Sequence, residues 1–305
     1  MGSSSTRTRW AARFEAWARP LSETEDQKCQ NAVSVIESAI RADDDLRSLS
    51  VDVFAQGSYV ANTNVRADSD IDICVRCTNT YFYDLPPGTL AAEVPIYPAT
   101  LTYADYKNKL QRALQSRFGV YGVVRGDKAF NVKENTYRIK ADVVPAFEYK
   151  QFFYSSLGLL STRIGISFLT DSGTRIVNWP KQTLANGRAK NDRTRTRYKK
   201  VVRVLKGLRN EMEEKGYESA KTISSFQLAC LAYNVSDGFY GNADLYDDVK
   251  GVSGQIWYAA YEPQQSLSWT EIDEIKPLFP VDQPNRRKEV ADFFWSLRTY
   301  SELME

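Results

Sequence analysis

Apolar positions predict amphipathic helices in two regions, residues 10–45 and residues 102–119. Residues 10–45 have helical spacing, and Pro20 is expected to divide them into two pieces. The pattern over residues 102–119 predicts a further helix, with Thr102 as N-cap and Gly119 as C-cap. Its apolar stripe comprises Tyr106, Leu110, Ala113 and Leu114.

A longer helix is predicted over residues 197–216, after a polar stretch at 178–194 that reads as a loop. The inward positions of this helix are Tyr198, Val201, Val202, Leu205, Leu208 and Met212. Helical patterns continue to the end of the chain, over 226–235, 253–261 and 289–300. The C-terminal third is therefore expected to be a helical lobe.

Three segments predict strands, at 51–58, 70–77 and 137–149, and the last two alternate apolar and polar residues. Because a helix separates them, the pattern indicates an α/β (α+β) sheet domain. We expect three parts: residues 1–48 as an N-terminal tail and helix, 49–185 as the sheet domain, and 186–305 as the helical lobe.

The amino-acid composition excludes several classes of protein. The 305 residues contain 40 Lys and Arg against 38 Asp and Glu, so the chain is not a polycation that coats nucleic acid. It has no apolar run of the roughly 20 residues that span a bilayer and no secretory signal, so we expect a cytoplasmic protein without a membrane partner. The four cysteines suggest no disulfide framework or zinc site, and we expect them in the core.

The chain contains no histidine. Ser-His-Asp hydrolysis, Cys-His proteolysis and His-ligated zinc catalysis all require an imidazole, so each is excluded in its usual form. If the protein is an enzyme, carboxylates are expected to carry its chemistry.

Acidic residues alternate where the strand at 70–77 begins, at Asp68, Asp70 and Asp72. In a strand, Asp70 and Asp72 project from one face while the apolar residues project from the other. Two close carboxylates repel each other unless a cation lies between them, and a hard divalent cation such as Mg²⁺ is the usual solution. The alternative is a solvated turn followed by a strand.

A Gly-Ser turn precedes these carboxylates and a third aspartate follows them. Gly57 and Ser58 end the first predicted strand, where backbone N–H groups and a hydroxyl can bind phosphate oxygens. Asp142 lies in the strand at 137–149. If the two acidic strands are neighbours, three carboxylates converge and hold two metal ions roughly 3.5–4 Å apart. We therefore expect two Mg²⁺ ions, with Mn²⁺ as the alternative, in a nucleotidyl-transfer site.

The sequence around these residues resembles one enzyme superfamily. The blocks "GSY", "DSDIDICV" and "KADVVPA" are similar to the G-S…D-x-D…D signature of polymerase-β-like nucleotidyltransferases. More narrowly, the chain resembles the bacterial cGAS/DncV-like nucleotidyltransferases (CD-NTases). Three blocks carry this likeness: "QGSYVANTNVRADSDIDICV", "IVNWPKQTLANGRAKN" and "SSFQLACLAYNV". The likeness is to clade E, close to the pyrimidine cyclases of Pycsar antiphage defence, and it runs from about Phe54 to Gly241.

The resemblance implies roles for individual residues. The catalytic, metal-binding triad of the family is matched by Asp70, Asp72 and Asp142, and its phosphate-binding turn by Gly57 and Ser58. Asp142 would assist deprotonation of the attacking hydroxyl. Many relatives carry a Lys or Arg after this turn, but here it continues as "YVANTNV", so triphosphate binding would depend more on metal and on Lys206.

Further nucleotide contacts are implied outside the acidic cluster. Lys206 matches a lysine that reaches the triphosphate, within a polar helix face of Lys199, Arg203, Lys206 and Asn210. Ser225 matches a phosphate-binding serine, and Phe226 matches an aromatic ring that stacks on the base. Asn178 matches a pyrimidine-selecting asparagine. The alternatives are a solvated helix face, a buried Phe226 and a turn role for Asn178.

These implications predict a nucleotide second-messenger synthase whose helical lobe closes over the nucleotide. A ribose 3′-OH would attack the α-phosphate of a pyrimidine triphosphate, preferably UTP, to give 3′,5′-cyclic UMP, or less readily cyclic CMP, and pyrophosphate. The alternative product is a cyclic dinucleotide that contains uridine, such as cyclic UMP-AMP. A downstream effector protein would sense the product, and no stable nucleic-acid partner is expected.

Two rival functions remain open from sequence. A template-independent RNA nucleotidyltransferase would need a basic track, which could be formed by Arg188, Lys190, Arg193, Arg195 and Arg197. A catalytically inactive nucleotide sensor is the non-enzymatic rival, but the presence of all three carboxylates argues against it.

Overall fold

The computed structural model describes residues 2–65 and 70–304, so Asp68 lies outside the described residues. The described residues divide into two compact units. The sheet unit comprises residues 22–60 and 70–181; the helical unit comprises residues 2–21, 61–65 and 182–304. Each unit is therefore assembled from segments that are separated in sequence.

The α-helices, in chain order, are α1 (Gly2–Trp17), α2 (Glu23–Ala42), α3 (Asp44–Arg47), α4 (Gly57–Val60), α5 (Tyr103–Phe118), α6 (Pro180–Arg193), α7 (Arg197–Glu214), α8 (Glu218–Lys221), α9 (Ser225–Asn234), α10 (Leu245–Tyr261) and α11 (Arg286–Tyr300). The strands are β1 (Val51–Gln56), β2 (Ile71–Asp84), β3 (Val123–Arg125), β4 (Phe130–Val132), β5 (Ala141–Tyr154), β6 (Leu160–Leu169) and β7 (Arg175–Asn178). Short 3₁₀ turns occur at Ala91–Glu93, Val120–Gly122, Asp237–Phe239 and Pro263–Ser266.

Strand β5 is the central strand of the sheet. It runs parallel to β2, and it pairs antiparallel with β4 near its start and with β6 along its second half. The other antiparallel pairs are β1 with β2, β3 with β4, and β6 with β7. The parallel β2–β5 pair is what brings the starts of the two long strands to the same edge.

Helix α5 packs against the sheet as its apolar stripe predicts. Thr102 is its N-cap and accepts a hydrogen bond from the backbone N–H of Asp105 at 3.1 Å, while Gly119 is its C-cap at φ 77°. All four predicted stripe residues are buried. The hydroxyl of Tyr106, one of them, donates to the carbonyl of Val75 on β2 at 2.7 Å. The predicted helix and both of its caps are confirmed.

The helical unit has its own apolar core. All six predicted inward residues of α7 are buried, and Trp10 and Phe14 of α1 join the same cluster. Gly207 lies so close to the Trp17 ring that a Cβ at this position would be 2.8 Å from it. Pro20 lies between α1 and α2, as predicted. The helical C-terminal lobe is therefore confirmed, and α1 packs within the same unit.

The polar stretch at 178–194 was expected to be a loop, and this prediction is wrong. Helix α6 occupies 180–193, beginning at Pro180, where a fixed φ and a missing N–H are compatible with a helix start. Asn186 donates to the carbonyl of Ile272 at 2.8 Å, and Lys190 donates to the carbonyl of Val235. Polar tertiary contacts stabilise this helix, and its sequence therefore has no apolar stripe from which it could be predicted.

Two smaller expectations concern strand limits and cysteines. The strand predicted at 137–149 begins later, at Ala141, and continues to Tyr154, because its second half pairs with β6. All four cysteines are free and buried, as expected.

Among the described helices, none combines the length and apolar character needed to cross a membrane.

Candidate active site

The acidic residues lie at the start of the parallel β2–β5 pair. In the register of the two strands Asp72 is opposite Asp142, and Ile71 is opposite Ala141. The backbone N–H of Ile71, the first residue of β2, donates to the carbonyl of Lys140, the residue before β5, at 3.1 Å. The two acidic strands are therefore neighbours, as a shared metal site requires.

Burial and mutual repulsion change the proton affinity of these carboxyls. Burial, together with the charges of Asp142 and Asp70, raises the pKa of Asp72 to about 6. Burial and the charge of Asp70 also raise the pKa of Asp142, although a hydrogen bond from Asn131 and the charge of Lys140 oppose this rise. The negative charges of Asp70 and Asp142 therefore act on Asp72, and the charge of Asp70 acts on Asp142.

Two side chains that the sequence pattern did not single out contact this cluster. Asn131 on β4 donates its amide N–H to Asp142 Oδ1 at 2.6 Å, because Asn131 and Asp142 are register partners. Lys140 donates to Asp70 Oδ2 at 2.6 Å. The strand parity of Lys140 could have indicated its side of the sheet, but β4 is three residues long and has no readable periodicity.

The Gly-Ser turn contacts the same cluster. Gly57 has φ 73°, and a Cβ built on it would lie 2.2 Å from Asp72 Oδ2. Ser58 follows in the four-residue helix α4 and is half-buried. The hydroxyl of Tyr59 donates to Asp26 Oδ1 on α2 at 2.7 Å. The structure thus brings Gly57 into contact with one of the three carboxylates, and the Tyr59 hydroxyl attaches the turn to α2.

The donor chemistry of the cluster suits a hard divalent cation. Asp70, Asp72 and Asp142 provide carboxylate oxygens, the ligands that Mg²⁺ and Mn²⁺ favour, and their repulsion would be relieved by a cation. Within residues 2–65 and 70–304, no three His, Cys, Asp or Glu side chains are already arranged to hold a metal. Lys140 and Asn131 instead engage two of the three carboxylates.

Asn178 is the last residue of β7, in the same sheet as the carboxylates. It is paired with Ile166 of β6 and is half-buried. The turn role considered for it is therefore not what the structure shows, since Asn178 is a strand residue that directly precedes Trp179 and the first turn of α6.

Lys206 and Arg203 are buried in the helical unit. Lys206 donates from Nζ to the carbonyl and hydroxyl of Thr63, at 2.9 and 3.2 Å, and burial together with nearby Arg209 and Arg203 lowers its pKa to about 8. Arg203 donates to the carbonyls of Ala18 and Asn62. The alternative of a solvated helix face is therefore wrong for these two residues. Lys199 is half-buried, and Asn210 accepts a hydrogen bond from Arg209.

Helix α9 starts at Ser225, one residue before the helix predicted at 226–235. Ser224 is its N-cap and accepts from the backbone N–H of Gln227 at 3.1 Å. Ser225 is half-buried, while Phe226 is 46% exposed, so burial does not account for the Phe226 ring. Lys206, Ser225 and Phe226 belong to the helical unit, whereas the acidic cluster, Gly57, Ser58 and Asn178 belong to the sheet unit.

The basic residues considered as an RNA track differ in exposure: Arg188, Arg193 and Arg195 are exposed, whereas Arg197 is half-buried. Lys190 is buried and pairs with Asp237, which also accepts from Arg193 Nε at 2.9 Å. Arg197 lies 3.5 Å from the buried carboxylate of Asp248. Three of the five candidates are therefore engaged by acidic groups of their own unit, which weakens the RNA-directed alternative.

Known proteins share both the sequence and the architecture. The family model described as "cGAS/DncV-like nucleotidyltransferase C-terminal helical domain" matches residues 185–302. A cyclic dipyrimidine nucleotide synthase CdnE from Legionella pneumophila is 40% identical over 294 residues, which is 95% of this chain and 97% of that protein.

Two solved structures support the same assignment. The Rhodothermus marinus CdnE c-UMP-AMP synthase with Apcpp and Upnpp has a TM-score of 0.80 at 25% identity, covering 95% of this chain and 96% of that one. The Elizabethkingia meningoseptica CdnE cyclic dinucleotide synthase with GTP and Apcpp has a TM-score of 0.79 at 31% identity, covering 95% and 98%. The chain therefore belongs to the cGAS/DncV-like nucleotidyltransferases, a family of cyclic nucleotide synthases, and within them to clade E.

Proposed function

We propose that this enzyme is a cyclic dinucleotide synthase that joins two nucleoside triphosphates, at least one of them UTP, and releases pyrophosphate. The observation that carries the proposal is the opposition of Asp72 and Asp142 across parallel strands, with Gly57 against the Asp72 carboxylate. Such a cluster beside a phosphate-binding turn suits nucleotidyl transfer.

The choice of a dinucleotide product follows the relatives. The Legionella protein is named for cyclic dipyrimidine nucleotides and the Rhodothermus structure for c-UMP-AMP. These names favour the dinucleotide over the cyclic mononucleotide that the sequence first suggested. Cyclic UMP stays a distinct outcome of the product analysis.

The preference for uracil rests on Asn178. A side-chain amide presents both a hydrogen-bond donor and an acceptor, and the uracil edge offers the complementary pair. Asn178 ends an edge strand and is half-buried. Its backbone is therefore held by the sheet, while its side chain is partly accessible to solvent. We propose that this amide selects the pyrimidine.

In the proposed mechanism, the turn at Gly57 and Ser58 binds phosphate oxygens through backbone N–H groups and the hydroxyl. Asp70, Asp72 and Asp142 would hold Mg²⁺, which supplies charge neutralisation of the triphosphate and lowers the pKa of the attacking hydroxyl. Asn131 fixes one oxygen of Asp142, and the other oxygen accepts the proton of the ribose hydroxyl.

Loss of that proton lets the ribose oxygen form a bond to the α-phosphorus of the other nucleotide, while the bond to pyrophosphate breaks. A second transfer by the same groups closes the ring. Lys206, Ser225 and Phe226 are proposed to contact the triphosphate and base, and a downstream effector in antiphage signalling would sense the product.

Product analysis tests this proposal directly. The enzyme is incubated with Mg²⁺ and each labelled triphosphate, singly and in pairs, and the products are resolved by mass spectrometry. A cyclic dinucleotide that contains uridine is expected, from UTP alone or from UTP with a second triphosphate. Cyclic UMP as the sole product would replace the proposal with the cyclase function, and products free of uridine would overturn it.

A further inference from the structure

Asn178 is carried by a short edge strand. Strand β7 has four residues and pairs only with β6 among the described strands, through partners that run from Leu169–Arg175 to Ile166–Asn178. A four-residue edge ladder holds its last residue weakly on its own. The contacts at the two ends of β7 therefore decide how firmly Asn178 is placed.

At the C-terminal end, the chain passes directly over Gly165. A Cβ at Gly165 would lie 2.7 Å from the carbonyl oxygen of Asn178 and 3.0 Å from two atoms of the Trp179 ring. Contacts below 3.0 Å to backbone cannot be relieved by rotating a side chain. Gly165 is therefore needed for the backbone of Asn178 to approach β6 as closely as it does.

The Trp179 ring continues this contact into the sheet. Trp179 is buried and meets the Tyr149 ring edge-on, with centroids 5.8 Å apart. Tyr149 is the register partner of Gly165, so the indole covers the glycine and touches the tyrosine beside it. An edge-on aromatic pair of this kind gives orientation as well as buried area.

The N-terminal end of β7 is tied to the same tyrosine. Arg175 donates to both carboxylate oxygens of Asp84, at 2.6 and 2.8 Å. The hydroxyl of Tyr149 donates to Asp84 Oδ2 at 2.7 Å. Both ends of β7 are therefore attached to Tyr149, one through Asp84 and the other through the indole of Trp179.

We propose that Gly165 and Trp179 are positioning residues for Asn178, and that the nucleobase selectivity of the enzyme depends on their packing. This inference rests on the proposed selection of uracil by Asn178. Paired hydrogen bonds to a base edge tolerate only small displacements, so a backbone shift at Asn178 weakens recognition of the correct base more than the chemistry.

The test measures selectivity rather than activity alone. Equimolar UTP and ATP are supplied together, and the ratio of UTP to ATP incorporation is read by mass spectrometry for wild type, Gly165→Ala, Asn178→Ala and the double variant. We expect Gly165→Ala to lower this ratio about tenfold, within the range for one lost base contact. In the Asn178→Ala background, Gly165→Ala is expected to add no further change.

Gly238→Ala is the matched control, because a Cβ there meets nothing within 4 Å and its φ is not in the left-handed region. It should keep the wild-type ratio. Thermal unfolding establishes that each variant is folded.

Should Gly165→Ala fail to fold, the pair Trp179→Phe and Trp179→Ala replaces it. The phenylalanine should keep the ratio within about twofold by preserving an aromatic contact, and the alanine should lower it.

The outcomes separate this inference from the proposed function. A folded Gly165→Ala with the wild-type ratio, while Asn178→Ala lowers it, overturns the positioning role alone. Independent, multiplicative effects of the two substitutions also overturn it. If Asn178→Ala leaves the ratio unchanged, base selection by Asn178 fails and the inference fails with it. If no uridine is incorporated by the wild type, the proposed function itself is wrong.

Discussion

Gly57 and Asp72 are in direct contact at the start of the sheet, and the contact leaves no room for a side chain on the glycine. A methyl group at Gly57 would lie 2.2 Å from Asp72 Oδ2, and the backbone φ of 73° is one that L residues rarely adopt. The Gly-Ser turn and the acidic cluster therefore share one packing constraint.

Replacing Gly57 with alanine should displace the Asp72 carboxylate and the turn together. We expect pyrophosphate release to fall by at least about tenfold, since even an ångström of misplacement in a catalytic group is costly. Gly158→Ala is the matched control, because Gly158 has φ 71° but nothing within 4 Å of its built Cβ. It carries the same backbone strain without the collision, so equal losses of activity in the two variants would contradict this explanation.

Removal of the paired carboxylates should abolish catalysis without unfolding the chain. For Asp70→Ala combined with Asp72→Ala, we expect no measurable pyrophosphate release and a retained cooperative thermal transition. The exposed Asp282 provides the control substitution Asp282→Ala, which should leave turnover unchanged. Wild-type turnover in the double variant would eliminate the carboxylate mechanism.

The raised pKa of Asp72 predicts a particular pH dependence of stability. Its pKa is about 6 in the folded chain against 3.8 for the unperturbed group, so between these values the folded state binds more protons than the unfolded state. The contribution of Asp72 to the free energy of unfolding therefore decreases as pH rises from about 4 to 6, and stays unfavourable above that range.

Asp72→Asn removes this penalty. We expect the variant to be more stable than wild type at pH 7, by at most about 3 kcal/mol, and the gain to disappear near pH 4. Chemical denaturation across this pH range measures the difference, and Asp282→Asn should show no such trend. A stability gain that is constant with pH would contradict the assignment to Asp72 ionisation.

Asn131 is expected to matter through Asp142. Asn131→Ala removes the 2.6 Å hydrogen bond to Asp142 Oδ1, and we expect a fall in kcat of about tenfold with a smaller change in KM. Asn131→Asp puts a negative charge in the same place, which raises the pKa of Asp142 further. The acid limb of its kcat profile should move to higher pH, and profiles of the two variants that superimpose would contradict this role.

Local pattern was sufficient for much of the fold. The spacing of apolar residues identified α5 and α7 with their buried faces, and Thr102 and Gly119 marked the ends of α5 because capping is a property of neighbouring residues. Alternation identified the acidic strands, and the absence of histidine excluded whole classes of chemistry on composition alone.

Local pattern failed where distant contacts decide the conformation. Helix α6 has no apolar stripe, and its Asn186 and Lys190 bind carbonyls at Ile272 and Val235, so no local signal could distinguish it from a polar loop. A solvated face was the alternative considered for the charged side of α7, but Arg203 and Lys206 donate to backbone carbonyls that are more than a hundred residues away in sequence.

The sequence by itself determined the residue types available for catalysis, the faces on which Asp70 and Asp72 lie, and the family, because these depend on composition, strand alternation and motif order. Only the tertiary structure decided that Asp72 is opposite Asp142 and that Asn131 and Lys140 contact the cluster. The physical reason is that register between strands is set by the packing of the whole sheet, which no single segment encodes.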